Sequence, residues 1–314
     1  MKKNSLKLIV GANGFVGKRL LKPSDRALVR KSASLPNEVI GDLLDPASLK
    51  TACKGIGTVF HCAGHAHDNS PSNNDINWKI NFEGTRNLVN AAGLSGVQNF
   101  VFLSSVKAMA EPGNTCLNED SPGEPVSQYG KAKRAAEDAV LDAGLKFNMN
   151  VVNLRLAMVY GRGGRGNLER MAQAIKSGWF PPLPETGNHR SMVHVNDVVR
   201  AIRLVSESPE ASGQTYIIAD QCPYSGRQIY SLLRQSLNMK PTNHHIPAGV
   251  LRLAGQIGDI AGGILRRRLS LSSEEVAKLL SSAWYSADRI ERELGWRSEI
   301  SLNEGLREMF GSGY

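Results

Sequence analysis

The chain has 314 residues, 41% of them hydrophobic, with no apolar stretch approaching the length of a membrane span. Four scattered cysteines form no CxxC pair, which argues against a zinc ribbon or a disulfide framework and for a reduced, cytoplasmic setting. The formal net charge is +9, but aromatic residues make up only 6%, too few for a base-stacking platform, so an anionic metabolite is ranked above nucleic acid.

The N-terminus begins MKKNSLKLIVGANG; its short apolar run and missing cleavage site argue against a signal peptide. The segment 6–10 reads as a strand, 15–21 as a short helix stopped by Pro23, and 26–30 and 38–43 as strands. A helix with Pro46 in its first turn follows, then a strand over 57–64 and a long helix over 77–96. A strand over 98–105, a helix over 127–144 and a strand over 148–161 complete the alternation. Continuous apolar strands alternating with amphipathic helices predict an α/β fold, a Rossmann-type doubly wound parallel sheet. Glycine- and proline-rich loops begin near residue 162, and the last third, from about 223, is mostly helical. The expected organisation is a dinucleotide-binding domain over 1–162, rejoined by 192–222. A smaller, mostly helical C-terminal substrate lobe takes 163–191 and 223–314.

Gly11, Gly14 and Gly17 lie three apart, after a strand and at the start of a helix. Such a turn lets backbone amides at a helix N-terminus approach a pyrophosphate, so a dinucleotide is expected here. The end of the second strand carries Arg30 and Lys31 and no acid, which favours NADP over NAD. Tyr129 and Lys133 are four apart and share a helical face, where an ammonium would favour phenolate. Ser104 and Ser105 end a strand, the position from which open α/β sheets present groups to ligands.

With these motifs the chain resembles the extended short-chain dehydrogenase/reductase family, NAD-dependent epimerase/dehydratase type, nearly end to end. That family includes nucleotide-sugar 4-epimerases and 4-keto-sugar reductases. The resemblance assigns GANGFVG, with Gly11, Asn13, Gly14, Phe15, Val16 and Gly17, to the coenzyme, and GDLLD, with Asp42 and Leu43, to its adenine. It adds Cys62, Ala63 and Gly64 of FHCAG, and Asn81 of NFEGTRNL. Ser105, Tyr129 and Lys133 are implied as catalytic, with Tyr129 exchanging a proton at the sugar C4 oxygen and Ser105 bonding that oxygen. Arg190 is implied to contact the substrate diphosphate, with His65 and Lys107 also on the substrate side.

Three departures matter. Val106 and Lys107 stand where dehydratase members carry an acidic pair, which argues against dehydration. Ala157 and Met158 stand where proline and, in several epimerases, asparagine occur, and AMAE replaces VYG. The implied function is NAD(P)-dependent chemistry at C4 of a UDP-hexose in polysaccharide precursor synthesis, by a 4-epimerase or a 4-keto-sugar reductase. An NADPH-dependent ketone reductase of hydroxysteroid or dihydroflavonol type is an alternative, as is a non-catalytic NADP-binding redox sensor. A homodimer pairing through 77–96 and 127–144 is implied by analogy. His61, Cys62, His65, His67 and Asp68 resemble metal ligands, but no metal is expected. The stretch 250–271, ending near Arg266-Arg267-Arg268, reads as a lobe helix pair packed on the core, with an anionic membrane surface as the competing reading.

Overall fold

A computed structural model describes residues 6–65, 74–164, 166–264 and 272–311. Its first half builds the sheet. β1 (Leu6–Val10), β2 (Arg26–Val29), β3 (Glu38–Ile40) and β4 (Ile56–His61) are joined by α1 (Gly17–Leu20), a loop, and α2 (Pro46–Cys53). Asp45 caps α2 by accepting from Ala47 N at 3.0 Å, and Pro46 needs no partner at the first helical position. Then come α3 (Asn74–Asn77), a π-helical segment (Trp78–Glu83), α4 (Gly84–Leu94) and β5 (Asn99–Ser105). A 3-10 turn (Val106–Ala108) leads by a long loop to α5 (Gln128–Phe147) and β6 (Asn150–Leu156). Asn148 ends α5 in the left-handed region, at φ +50°.

β7 (Met158–Tyr160), α6 (Asn167–Lys176), β8 (Met192–His194), α7 (Val195–Glu207) and β9 (Gln214–Ile218) follow. The chain continues through α8 (Gly226–Ser236), α9 (Ala248–Ile264), α10 (Ser273–Leu280), α11 (Asp288–Leu294) and α12 (Leu302–Phe310). The main sheet has seven strands in the order β3-β2-β1-β4-β5-β6-β9, all pairs parallel. β7 and β8 form a separate parallel pair.

Apolar side chains fill both faces of the sheet. Leu49, Leu88, Val89 and Val140 cover one from α2, α4 and α5. Leu20, Val198, Ile202, Val205 and Ile290 cover the other from α1, α7 and α11. A third cluster, with Leu168, Tyr230, Leu233, Val276 and Leu306, is the lobe's own core. Three elements differ from the sequence expectation. The first helix is a single turn, because Leu21 is already extended and Pro23 follows. The strand expected over 148–161 breaks at Ala157, whose N–H makes a bond to Ile218 O at 3.0 Å before β7 leaves to pair with β8. The long helix at 77–96 carries a π segment in its first half.

His61 is sealed between β4 and α4. Its Nε2 lies 2.9 Å from Thr85 Oγ1, which itself donates to Asn81 O at 2.7 Å, so Nε2 carries the proton. Burial, reinforced by the Lys133 charge, lowers this ring from 6.5 to about 3. The unfolded chain therefore binds a proton between those values that the folded chain refuses. Stability falls as pH is lowered through that window, by up to ~1.4 kcal/mol per pH unit from this group. Melting curves from neutral pH down to about pH 4 should show the parent losing more stability than His61→Gln, which cannot titrate.

Candidate active site

The first βα turn is shaped by a backbone contact. Gly11 has φ +84°, and a Cβ on it would lie 2.7 Å from Ala63 N. Only glycine permits both that conformation and that approach. Cys62 N donates to Val10 O at 2.8 Å, so the exits of β1 and β4 run side by side. Gly14 N closes the turn on Gly11 O at 2.8 Å, and a Cβ on Gly17 would lie 2.2 Å from the same oxygen. Asn13 and Gly14 are exposed at the turn, with Phe15 and Val16 half-buried behind them. Because α1 has only four residues, its dipole is small; the amides of the turn itself are the donors a pyrophosphate would meet. Arg19 lies 4.8 Å over the Phe15 ring and donates to Phe15 O and Arg162 O, tying the turn to the loop after β7.

Arg30 is exposed beyond the tip of β2. The acid on the neighbouring strand, Glu38, is committed to the loop between them. It bonds Ser32 Oγ and accepts from Ala33 N at 3.0 Å and Leu35 N at 3.2 Å, which together hold its carboxyl below the usual range. Asp42 accepts from Leu44 N at 2.8 Å in an Asx turn. Leu43 is buried, and its carbonyl accepts from Asn87 Nδ2 at 3.1 Å. The segment after β3 is thereby moored to α4.

Ser105, Tyr129 and Lys133 meet at the carboxyl end of β5. Ser105 opens the 3-10 turn by accepting from Lys107 N at 3.2 Å, and its side chain hydrogen-bonds the Tyr129 phenol. Tyr129 lies in the first turn of α5, which Ser127 caps by accepting from Gly130 N at 3.0 Å. Lys133 is buried one turn later. Its Nζ donates to Leu103 O at 2.9 Å and stands 4.6 Å from the Phe102 ring centroid. A Cβ on Gly64 would lie 3.4 Å from that nitrogen, so Gly64 leaves the ammonium open toward the β4 exit.

The electrostatics differ from the sequence expectation. Burial pushes the Tyr129 phenol up, and the Ser105 hydrogen bond only partly opposes it. Burial also draws Lys133 down to about 8, against the pull of Glu137. The Lys133 side chain turns toward the β5 backbone, and its charge is not among the main influences on the phenol. Cys62 is an inert neighbour whose thiol burial raises to about 12.

Asn81 does not project into an open cleft. Its Oδ1 accepts from His65 N at 2.9 Å, and its Nδ2 donates to His65 O at 3.2 Å and Asn77 Oδ1 at 3.2 Å. It clasps the backbone at the β4 exit from the π segment, a geometry often found at functional sites. His65 is thus placed through its main chain. Lys107 is paired with Glu111 at 3.1 Å. Arg190 is brought to the lobe side, where its Nη1 donates to Lys278 O at 2.7 Å and Ser281 O at 3.1 Å, capping α10. His67, Asp68 and Arg266-Arg267-Arg268 lie outside the described residues. Among the described residues, no three His, Cys, Asp or Glu side chains gather to hold a metal.

Sequence reasoning missed three supporting residues. Glu137, four residues beyond Lys133, is buried and accepts from Ser104 Oγ at 2.5 Å and from Arg155 Nη2 at 2.7 Å. An arginine inside the apolar run VVNLRLAMV was the available signal, because a buried cation requires a partner. The third is Gly130, where a Cβ would lie 2.1 Å from Lys107 O. Gly130→Ala must push the start of α5 off the 3-10 turn and carry Tyr129 away from Ser105. The expected outcome is a loss of about 100-fold in kcat/KM and about 1–3 kcal/mol of stability, read by steady-state kinetics and chemical denaturation.

The sequence profile described as the NAD dependent epimerase/dehydratase family matches residues 7–219. The N-acetyl-alpha-D-glucosaminyl-diphospho-ditrans,octacis-undecaprenol 4-epimerase of Escherichia coli O157:H7 is 29% identical, over 95% of this chain and 92% of that protein. The UDP-glucose 4-epimerase of Vibrio cholerae is 28% identical, over 96% and 93%. The structure of MoeE5 in complex with UDP-glucose and NAD shares the fold, with a TM-score of 0.75 and 24% identity over 97% of each chain. Glycine turn, serine, tyrosine and lysine at one sheet edge, and a profile match over most of the chain, give one conclusion: the chain belongs to the NAD dependent epimerase/dehydratase family.

Proposed function

We propose that the chain is a UDP-sugar 4-epimerase, oxidising and re-reducing C4 of a UDP-linked hexose. The observation that carries this is the meeting of Ser105 and Tyr129 at the β5 tip, with Lys133 one helical turn away. Both relatives described above are named as 4-epimerases, and both names describe sugars carried on a diphosphate.

A bound nicotinamide would supply the hydride acceptor and donor. The turn at Gly11 and the β4 exit at Ala63 and Gly64 fit such a coenzyme, because a Cβ on Gly11 or Gly64 would crowd its neighbours at 2.7 and 3.0 Å. Arg30 suits a 2′-phosphate, and Glu38 is already engaged by the loop, so NADP is favoured over NAD. In the phenolate form, which burial disfavours, Tyr129 takes the C4 hydroxyl proton as C4 is oxidised, and as the phenol it returns that proton when C4 is re-reduced. Ser105, already bonded to that phenol, orients the sugar oxygen. Lys133, lowered to about 8, still holds its positive charge beneath the site at neutral pH. Dehydration lacks its acid: Val106 is buried, and Lys107 occupies the next position, paired with Glu111.

A 4-keto-sugar reductase is the second reading, favoured by the basic end of β2, since NADPH serves as a consumed reagent in reductases. Incubation of UDP-hexoses and UDP-4-keto-sugars with each nicotinamide coenzyme separates the two. Epimerisation changes the sugar with no net coenzyme oxidation, whereas reduction consumes NADPH in step with product. Tyr129→Phe should lower turnover by about 100- to 10,000-fold while coenzyme binding, read by fluorescence titration, changes only a few-fold. Unchanged turnover would exclude Tyr129 as the proton carrier.

A further inference from the structure

α9 is 17 residues long, so it extends about 25 Å. One side faces the lobe. Leu251 is buried, and a Cβ on Gly255 would lie 3.0 Å from Ser273 Cα at the start of α10. Asp259, on the same side, accepts from Ser273 N at 3.2 Å. α9 therefore packs against α10, which begins beyond the 250–271 stretch expected to hold a helix pair. The opposite side is apolar and open: Val250, Leu253, Ile257 and Ile260 are 54, 57, 59 and 66% exposed. Their spacing of three, four and three aligns them in a single stripe. Trp179 is 86% exposed in the loop after α6. That loop reaches the entry to α9, where Pro182 O accepts from Ile246 N at 3.0 Å.

We propose that this stripe docks on an anionic lipid surface, with the helix lying in the plane of the headgroups. Charge supports the lipid: the chain carries +9, and its sequence runs from Ile264 through Leu265 into Arg266-Arg267-Arg268. The positions beside the stripe argue against a second copy. Gly249, Ala254 and Gln256 stand where a self-pairing helix would place complementary charges. The acids of the neighbouring helix, Glu274 and Glu275, pair with Lys278 at 2.7 and 3.4 Å. An exposed tryptophan suits the boundary between headgroups and acyl chains. No helix among the described residues is long and apolar enough to cross a membrane, so the geometry is that of a surface contact.

Co-sedimentation of the full chain with vesicles tests the contact. Vesicles of phosphatidylcholine and phosphatidylglycerol should bind at least about tenfold tighter than phosphatidylcholine alone, and several-fold higher salt should weaken them. The double variant Leu253→Glu, Ile257→Glu should lose about tenfold or more in vesicle affinity, with unchanged circular dichroism and unchanged turnover of soluble substrate. Failure of the parent chain to sediment with anionic vesicles would overturn the proposal, as would equal sedimentation of the double variant. So would a lipid-free dimer, seen by ultracentrifugation, that the double variant dissolves, because a second copy would then own the stripe. None of these outcomes depends on which sugar the site accepts.

Discussion

A buried ammonium holds the working edge of this molecule together. Lys133 sits in the seam between α5 and the sheet, where an unpaired charge would be costly. It is tolerated because Leu103 O accepts from it, the Phe102 ring lies beside it, and Glu137 stands one turn below. Glu137 has its own obligation to Arg155, whose Nε and Nη2 both reach the carboxylate, and to Ser104. Three charges from α5 and β6 are thus satisfied in series, with polar groups of β5 completing the set. A slip of the helix along the sheet by one residue would break all of these contacts together. Tyr129 faces Ser105 because that slip is forbidden.

The rest of the edge is fastened by main-chain contacts. β1 and β4 leave the sheet touching at Gly11 and Ala63, and Asn81 binds both polar atoms of the His65 backbone. On the lobe side, buried Asp197 accepts from Glu299 N at 3.2 Å and Ile300 N at 3.0 Å, drawing the C-terminal segment onto α7. Arg190 caps α10. The sheet supplies fixed chemistry, and the lobe is anchored to it at its own polar posts. One polar post guards the outer strand too: Glu119 accepts from Ile217 N at 2.7 Å on β9.

The sheet was legible because strands buried on both faces read as continuous apolar runs, and 98–105 became β5 almost residue for residue. The glycine triplet and the Tyr129–Lys133 spacing were legible for a similar reason: backbone clearance and helical geometry leave few residue choices. Other features depend on distant partners. Nothing local marks Ala157 as the point where a strand changes sheets, since both destinations want the same apolar residues. The π segment is hidden because WKINFE has ordinary helical composition. The direction of the Tyr129 shift was missed because sequence spacing places Lys133 near it but cannot say where the ammonium points. The outer stripe of α9 read as core, since apolar spacing does not reveal whether anything covers it.

The π segment has a consequence for the chain's tolerance to length change. A wide turn holds one residue more than an ordinary helical turn. Deleting a residue between Trp78 and Glu83 would let the helix regularise with α4 still in phase, so Leu88 and Val89 would keep their places against the sheet. Asn81 would swing away from His65, and the β4 exit would lose its tether. Here packing and tether have separate length requirements: the scaffold can spare a residue that the clasp on the β4 exit cannot.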